Sequence, residues 1–284
     1  MNIAQQVVNG LVIGSGYACV ALGWTVLLGA ARLVNFAHGQ MYMLAAFICW
    51  FGLTRLNLPL PLAAVLTIAA MAAIGLLLQC AMNRLVIAQN LTSLMIATLG
   101  VGYIIQGGAG IIFGGAPQSL RSMLHQMDVH VGDVWFTLQD VLVVVASLVL
   151  YAAVWLFLNR TRPGSTIRAI AEDPKLALVF GINVSIVYIG IFVIESVLVA
   201  TAAILVAPRT PILTSMGFEE VIITFVIVVL GGIGNVVGAL VASLTLGQFT
   251  AIFGALVSPA YATAAIFGLL VVLLVARPRG LGVR

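Results

Sequence analysis

One charged stretch, NRTRPGSTIRAIAEDPKLALVFGINV from Asn159 to Val184, interrupts a chain whose other long segments are almost free of charge. It holds Arg160, Arg162, Arg168 and Lys175, four of the 12 basic residues. Segments built from Leu, Ile, Val, Ala and Gly belong in hydrocarbon, whereas this stretch belongs in water. Only 7% of the 284 residues are charged and 63% are hydrophobic, against about 25% charged in soluble domains. The chain therefore reads as a polytopic membrane protein.

Within the charged stretch, Pro163-Gly164 ends the preceding apolar run, and Ser165 or Thr166 is placed to cap a helix. Ile167, Ile170 and Ala171 come next at helical spacing. Asp173-Pro174 predicts a second start, a cap followed by a proline where a missing N–H costs nothing. Leu176, Val179 and Phe180 give this second helix one apolar face, and Gly181 supplies a left-handed stop. Two short helices with a sharp bend are expected; a helical link lying on lipid headgroups is the blander alternative.

A membrane span needs about 20 mainly apolar residues. The candidates are Ile3–Leu28, Phe36–Leu53, Leu60–Met82, Leu91–Phe113, Val141–Leu158, Ile186–Ala207, Val221–Leu230, Val236–Phe253 and Ala260–Ala276. The fold expected is an all-α, polytopic transmembrane helical bundle, with eight to nine hydrophobic segments and one or two broken or re-entrant helices. Residues 1–284 form one transmembrane domain with an aqueous segment at 159–184. Nine crossings place Arg32, Arg84, the charged stretch, Arg277, Arg279 and Arg284 on one side, nine of the 12 basic residues. Arg55, Arg121 and Arg209 fall on the other. Basic residues mark the cytoplasm, so the charged stretch and C-terminus are expected inside. Asp128, Asp133, Asp140, Glu219 and Glu220 are expected outside. MNIAQQVVNG has no basic n-region, so no cleaved signal peptide is expected. Cys19, Cys49 and Cys80 lie in apolar runs and read as small buried hydrophobes.

Two regions look broken. One is GAARLVNFAHG at Gly29–Gly39, with Asn35 capping the segment after it; the other is Gly231-Gly232-Ile233-Gly234-Asn235, read as a tight elbow or re-entrant turn. In lipid an unpaired backbone group costs several kcal/mol, so a broken helix survives only against protein or a wet cavity. Gly10-xxx-Gly14 and Gly110-xxx-Gly114 read instead as close-packing faces. His38 starts the segment after the first break, and capping, packing or gating could each explain it. Glu195 is the one carboxyl clearly mid-span, with no basic residue three or four positions away. It reads either as a substrate- or proton-contacting group or as a neutral side chain bonded to a neighbouring helix.

Several function classes are excluded or weakened. Lys175 is the only lysine and no glycine-rich phosphate loop precedes it, so nucleotide hydrolysis by that route is excluded. No HExxH, GxSxG or paired intramembrane aspartates occur, so no enzyme and no cofactor are expected. No basic stripe suits a nucleic acid. His125 and His130, interleaved with Asp128 and Asp133 near Trp135, lack ligand spacing and read as a solvated outer loop.

Three of these stretches resemble one family when taken in order. LVNFAHGQMYML at Leu33–Leu44, GSTIRAIAEDPKLALVFGIN at Gly164–Asn183 and VLGGIGNVVGAL at Val229–Leu240 are similar to the membrane-spanning permease subunits of branched-chain amino-acid ABC importers. GSGYACVALGWT at Gly14–Thr25 and the tail RPRGLGVR fit the same pattern. The resemblance implies a homologous second permease, two cytoplasmic ATPase subunits and a periplasmic substrate-binding protein as partners in the bacterial inner membrane. It also implies ATPase coupling through Arg168, Ala169, Glu172, Asp173, Pro174 and Gly181. The sequence departs from the family pattern at Gln40, where Glu is usual, at Ile223, where Lys is common and acidic Glu219 and Glu220 lie nearby instead, and at Glu195, where an apolar or small residue is usual. A branched-chain amino acid is the default substrate, and related systems carry other amino acids, amides or urea.

Residues expected to line or shape a translocation path are Asn35, His38, Gln40, Glu195, Gly231, Gly232, Gly234 and Asn235. Half-helix ends there would offer free backbone groups to a zwitterion. Two other functions fit the residues alone: a stand-alone carrier with Glu195 as proton site, and a passive channel for a small neutral solute such as urea or an amide.

Overall fold

A computed structural model describes residues 3–88, 90–120, 127–132, 134–258 and 261–276. Arg121, His125, Asp133, Arg277, Arg279 and Arg284 lie outside the described residues. The helices are α1 (Ile3–Ala31), α2 (His38–Thr54), α3 (Leu60–Ile87), α4 (Leu91–Phe113), α5 (Leu138–Arg160), α6 (Arg162–Glu172), α7 (Pro174–Val179), α8 (Val184–Val206), α9 (Met216–Gly231), α10 (Val236–Leu256) and α11 (Ala262–Ala276). Each of the nine apolar segments coincides with one helix. Six of these helices, α1, α3, α4, α5, α8 and α10, are long and apolar enough to cross a membrane. The other three, α2, α9 and α11, have 17, 16 and 15 residues.

The all-α expectation needs one addition. The loop before α5 carries a two-stranded antiparallel hairpin, β1 (Asp128–Val131) with β2 (Val134–Thr137), in which His130 pairs with Trp135. β-Branched residues alternating across Gly132, with its positive φ of 61°, explain the turn. Gln5 of α1 clamps the hairpin: its Nε2 donates to the Trp135 carbonyl and its Oε1 accepts the Trp135 N–H, both at 2.9 Å. At the same end Thr137 and Asp140 form a capping box on α5, and Arg209 meets Asp140 at 2.7 Å.

The core is built around α1, buried along most of its length between α10, α8, α5 and α9. Lipid tails are as apolar as leucine, so helices here associate by close packing rather than by escape from water. Glycine supplies that closeness between α1 and α10: a Cβ on Gly247 would overlap Gly14, and one on Gly10 would strike the Gln248 amide. The close-packing expectation for Gly10 and Gly14 thus has a partner helix. Gly110 and Gly114 differ, since nothing lies within 4 Å of a Cβ at either position. Gly114, at φ 81°, ends α4 instead. α3, α4 and α5 form the periphery and turn Leu77, Ile104, Ile111 and Val149 outward, the pattern of a lipid-facing surface. Cys19 and Cys49 are buried, whereas Cys80 lies on the exposed face of α3, contrary to the sequence expectation.

The charged stretch folds into α6 and α7, but its first cap differs from the one expected. Thr161, not Ser165 or Thr166, accepts the Gly164 N–H at 3.1 Å, and Ser165 and Thr166 donate back to the Arg162 carbonyl. Proline in the first turn has no N–H to satisfy, so the helix opens four residues earlier than a Ser165 cap would set it. The second start is as read: Asp173 accepts from the N–H groups of Lys175 at 2.8 Å and Leu176 at 3.1 Å, and Gly181 has φ 78°. Ile167 and Ile170 are buried under α6. On α7, Leu176, Val179 and Phe180 are exposed and Ala177 is buried.

Candidate functional site

The first break is a turn followed by a non-helical return, residues 32–37. α1 ends at Ala31, Arg32 takes φ 52°, and the chain runs back along α1 before α2 opens at His38. The Asn35 side chain closes this return by accepting the Ala37 N–H at 3.0 Å. His38 then stands beside the middle of α1, at Val20, Gly23 and Trp24. Gly23 allows the approach, because a Cβ there would meet His38 Cε1 at 3.2 Å and the Glu195 carbonyl at 3.1 Å.

Three of the sequence candidates converge here. His38 Nδ1 lies 2.9 Å from Glu195 Oε1, and Asn35 Nδ2 donates to both carboxyl oxygens of Glu195, at 3.1 and 3.3 Å. The other ring nitrogen, Nε2, faces the Val20 carbonyl at 3.1 Å, and Trp24 stacks on the imidazole with centroids 5.7 Å apart. All three polar side chains have 0% exposure. One proton between Nδ1 and Oε1 gives either an imidazolium–carboxylate or an imidazole–carboxylic acid pair, and both are neutral overall. Of the bland sequence reading of Glu195, a neutral side chain hydrogen-bonded to a neighbouring helix, the hydrogen bond is present, to His38 of α2. Its partner is distant in sequence, out of reach of any search at helical spacing.

Gln40 belongs to a second junction, two residues beyond His38. α9 also opens inside the bundle, at Met216, and its first turn packs on the first turn of α2: a Cβ on Gly39 would overlap the Gly217 carbonyl. Glu219 and Glu220 lie between Gly217 and Val221, both of which pack on Gly39. They therefore sit at the level of the break rather than at an end of the bundle, Glu219 in the favourable first turn of α9 and Glu220 just after it. The Gln40 side chain lies between Gly217 and Gly102 of α4. It is 1% exposed, and neither amide atom has a hydrogen-bond partner.

Gly231, Gly232, Gly234 and Asn235 form a separate structure. They make the elbow between α9 and α10, with φ 88° at Gly232 and 78° at Gly234. A Cβ on Gly231 would lie 2.5 Å from the Ala239 nitrogen, and one on Gly234 would lie 2.6 Å from Gly29 Cα. Asn235 caps α10 by accepting the Gly238 N–H at 2.9 Å. Gly29 is six residues beyond Gly23, about 9 Å along α1. The eight candidates thus occupy two levels of the bundle. Trp24 and Gly102 were not singled out from the sequence; a glycine in an apolar helix reports a close approach without saying what approaches.

The remaining candidates lie on α6, α7 and their junctions, at the same end of the bundle as the elbow. Arg168 lines a cavity of about 240 Å³ there, together with Asn235.

Residues 6–275 match the family described as branched-chain amino acid transport system / permease component. The high-affinity branched-chain amino acid transport system permease protein BraD of Pseudomonas aeruginosa is 30% identical over 290 residues, 98% of this chain and 94% of the relative. The corresponding protein LivH of Escherichia coli K12 is 30% identical over 291 residues, with the same shares. The galactose/methyl galactoside import permease protein MglC of Haemophilus influenzae is 29% identical over 198 residues, 65% of this chain and 56% of that one. No solved structure matches. A multi-pass helical bundle whose sequence matches this family almost from end to end belongs to it: the chain is a member of the branched-chain amino acid transport system permease components.

Proposed function

We propose that this chain is the permease subunit of an ATP-driven importer that moves a branched-chain amino acid across the bacterial inner membrane. The observation that carries this reading is the match of residues 6–275 to the permease family, with relatives named for branched-chain amino acid transport over 98% of the chain. ATP hydrolysis resides in separate subunits. The partners are a second homologous permease, two cytoplasmic ATPases and a periplasmic substrate-binding protein, around a single transmembrane domain at 1–284.

In this reading α2 and α9 each complete a crossing together with the extended segment that precedes them, giving nine crossings. The α6–α7 end and the C-terminus are cytoplasmic and the hairpin end is outside, in keeping with Arg32, Arg84, Arg160, Arg162, Arg168 and Lys175 sharing one end. The segment 159–184 couples to the ATPase through Arg168, Ala169, Glu172, Asp173, Pro174 and Gly181. Support comes from α7, where Leu176 is 54%, Val179 80% and Phe180 76% exposed. Such an apolar knob on a water-facing bend suits a groove on another protein.

Asn35, His38 and Glu195 shape the path from behind: sealed from solvent, they hold the returning segment against α1 and α8. Gln40, whose amide lacks a partner, is the candidate to meet substrate when the α2–α9 junction opens. Gly231, Gly232, Gly234 and Asn235 form the elbow through which movement of α6 reaches α9 and α10. A proton carrier would need water to reach Glu195, and its 0% exposure argues against that reading.

The test is uptake into proteoliposomes. Leucine delivered by the binding protein is expected to accumulate only when the second permease, the ATPases and ATP are present, with Glu195→Gln changing at most substrate preference. Uptake by this chain alone under a pH gradient, abolished by Glu195→Gln, would replace the proposal with a secondary carrier.

A further inference from the structure

The cavity of about 240 Å³ at the α6 end does not stand alone. It lies between the last turns of α1 and α5, the inner face of α6 and the glycine elbow. Trp155, Val236 and Val237 form part of its wall and also line a second depression of about 410 Å³. That second space runs along α5 and α10 past Leu148, Tyr151 and Leu240, and it is almost wholly apolar. From Leu148 to Trp155 is about 10 Å along α5. The two spaces share that wall and together outline a bent cavity, a polar pocket at the helix ends beside an apolar slot between two spans.

The polar part is cationic. Arg168 is exposed and makes no ion pair among the described residues. Asn235 commits its Oδ1 to the α10 cap, which leaves its Nδ2 to donate. Asn159 donates to the Trp155 carbonyl, which leaves its own oxygen to accept. No acidic side chain lines either space. An amino-acid zwitterion would find no carboxylate there for its ammonium group, and a free anion would leave the slot unfilled. Trp155, 41% exposed near the end of α5, is the residue type expected at the boundary between acyl chains and headgroups.

We propose that this bent cavity is a binding site for a phospholipid with an anionic headgroup. The phosphate is held by Arg168 and the Asn235 amide, and one acyl chain lies in the slot between α5 and α10. Arg168 then acts from beneath α6, and the lipid links α6 to the α9–α10 elbow. The inference rests on the membrane-crossing fold and not on the transport reading, so either can fail without the other.

The test is native mass spectrometry of the purified full-length chain titrated with phosphatidylglycerol or phosphatidylcholine of matched acyl chains. Wild type is expected to retain phosphatidylglycerol about fivefold more strongly, the factor that roughly one cation contributes at a membrane surface. Arg168→Gln should abolish the preference, and Arg168→Lys should keep most of it. Val237→Trp, which fills the slot, should lower retention of both lipids. Millimolar inorganic phosphate should not displace the lipid. Equal retention of phosphatidylglycerol by wild type and Arg168→Gln would overturn the proposal. So would full displacement by phosphate, which would mark a free-anion site. Unchanged thermal melting of each variant in detergent excludes misfolding as the cause.

Discussion

The two interruptions in this bundle are built in opposite ways. At Asn35–His38 the returning chain is held by side chains: a buried imidazole, a carboxyl and an amide bond across segments far apart in sequence. At Gly231–Asn235 the turn is held by backbone: two glycines at positive φ, and contacts so close that Gly231, Gly234 and Gly29 have no room for a Cβ. A break inside a bundle can be stabilised by satisfying its polar groups internally or by removing the side chains that would keep helices apart. The first gives directional bonds at one depth; the second gives a compact corner that can be packed tightly and turned sharply.

The sharpest way to break that contrast is to strand one member of the polar cluster. Glu195→Leu leaves His38 and Asn35 buried without their acceptor, and is expected to cost about 3–5 kcal/mol of stability in detergent unfolding. Adding His38→Leu should restore part of that loss. A double variant as unstable as the sum of its singles would show that the pair does not act as a unit. Gly234→Ala, which forces both the left-handed backbone and the Gly29 contact, should cost about 2–4 kcal/mol, and Gly29→Ala placed with it should not rescue it. Asn235→Ala removes one cap and should cost about 1 kcal/mol. The smallest effect is expected for Glu195→Gln, which keeps an oxygen for Asn35 and a polar partner for His38; melting should fall by less than about 1 kcal/mol equivalent. A large loss in that variant would mean that the carboxyl has a role beyond hydrogen bonding.

Much of this architecture was legible in the residues. Apolar run length marked every long helix, and Asp173-Pro174 with Gly181 marked the ends of α7, because those signals are local. Asn35, His38 and Glu195 were each conspicuous as polar groups in apolar surroundings, yet their pairing was hidden, since it depends on the chain doubling back along α1. The GGIGN cluster announced a corner by glycine density alone. The hairpin at β1–β2 was missed because four-residue strands beside long helices leave little periodicity to read. The exposed face of α7 shows the reverse case: Leu176, Val179 and Phe180 were correctly grouped, but helical spacing does not say whether a face turns toward the chain's own core or toward a partner.

The account turns on α6 and α7 lying inside the cell against an ATPase, and labelling tests this most directly. Val179, 80% exposed at the end of α7, is replaced by Cys in a variant lacking Cys80, and a membrane-impermeant maleimide is applied. The account predicts no labelling from outside intact cells, ready labelling in inside-out vesicles, and protection once the ATPase subunits are bound. Labelling of that thiol from the outer face of intact cells would contradict it.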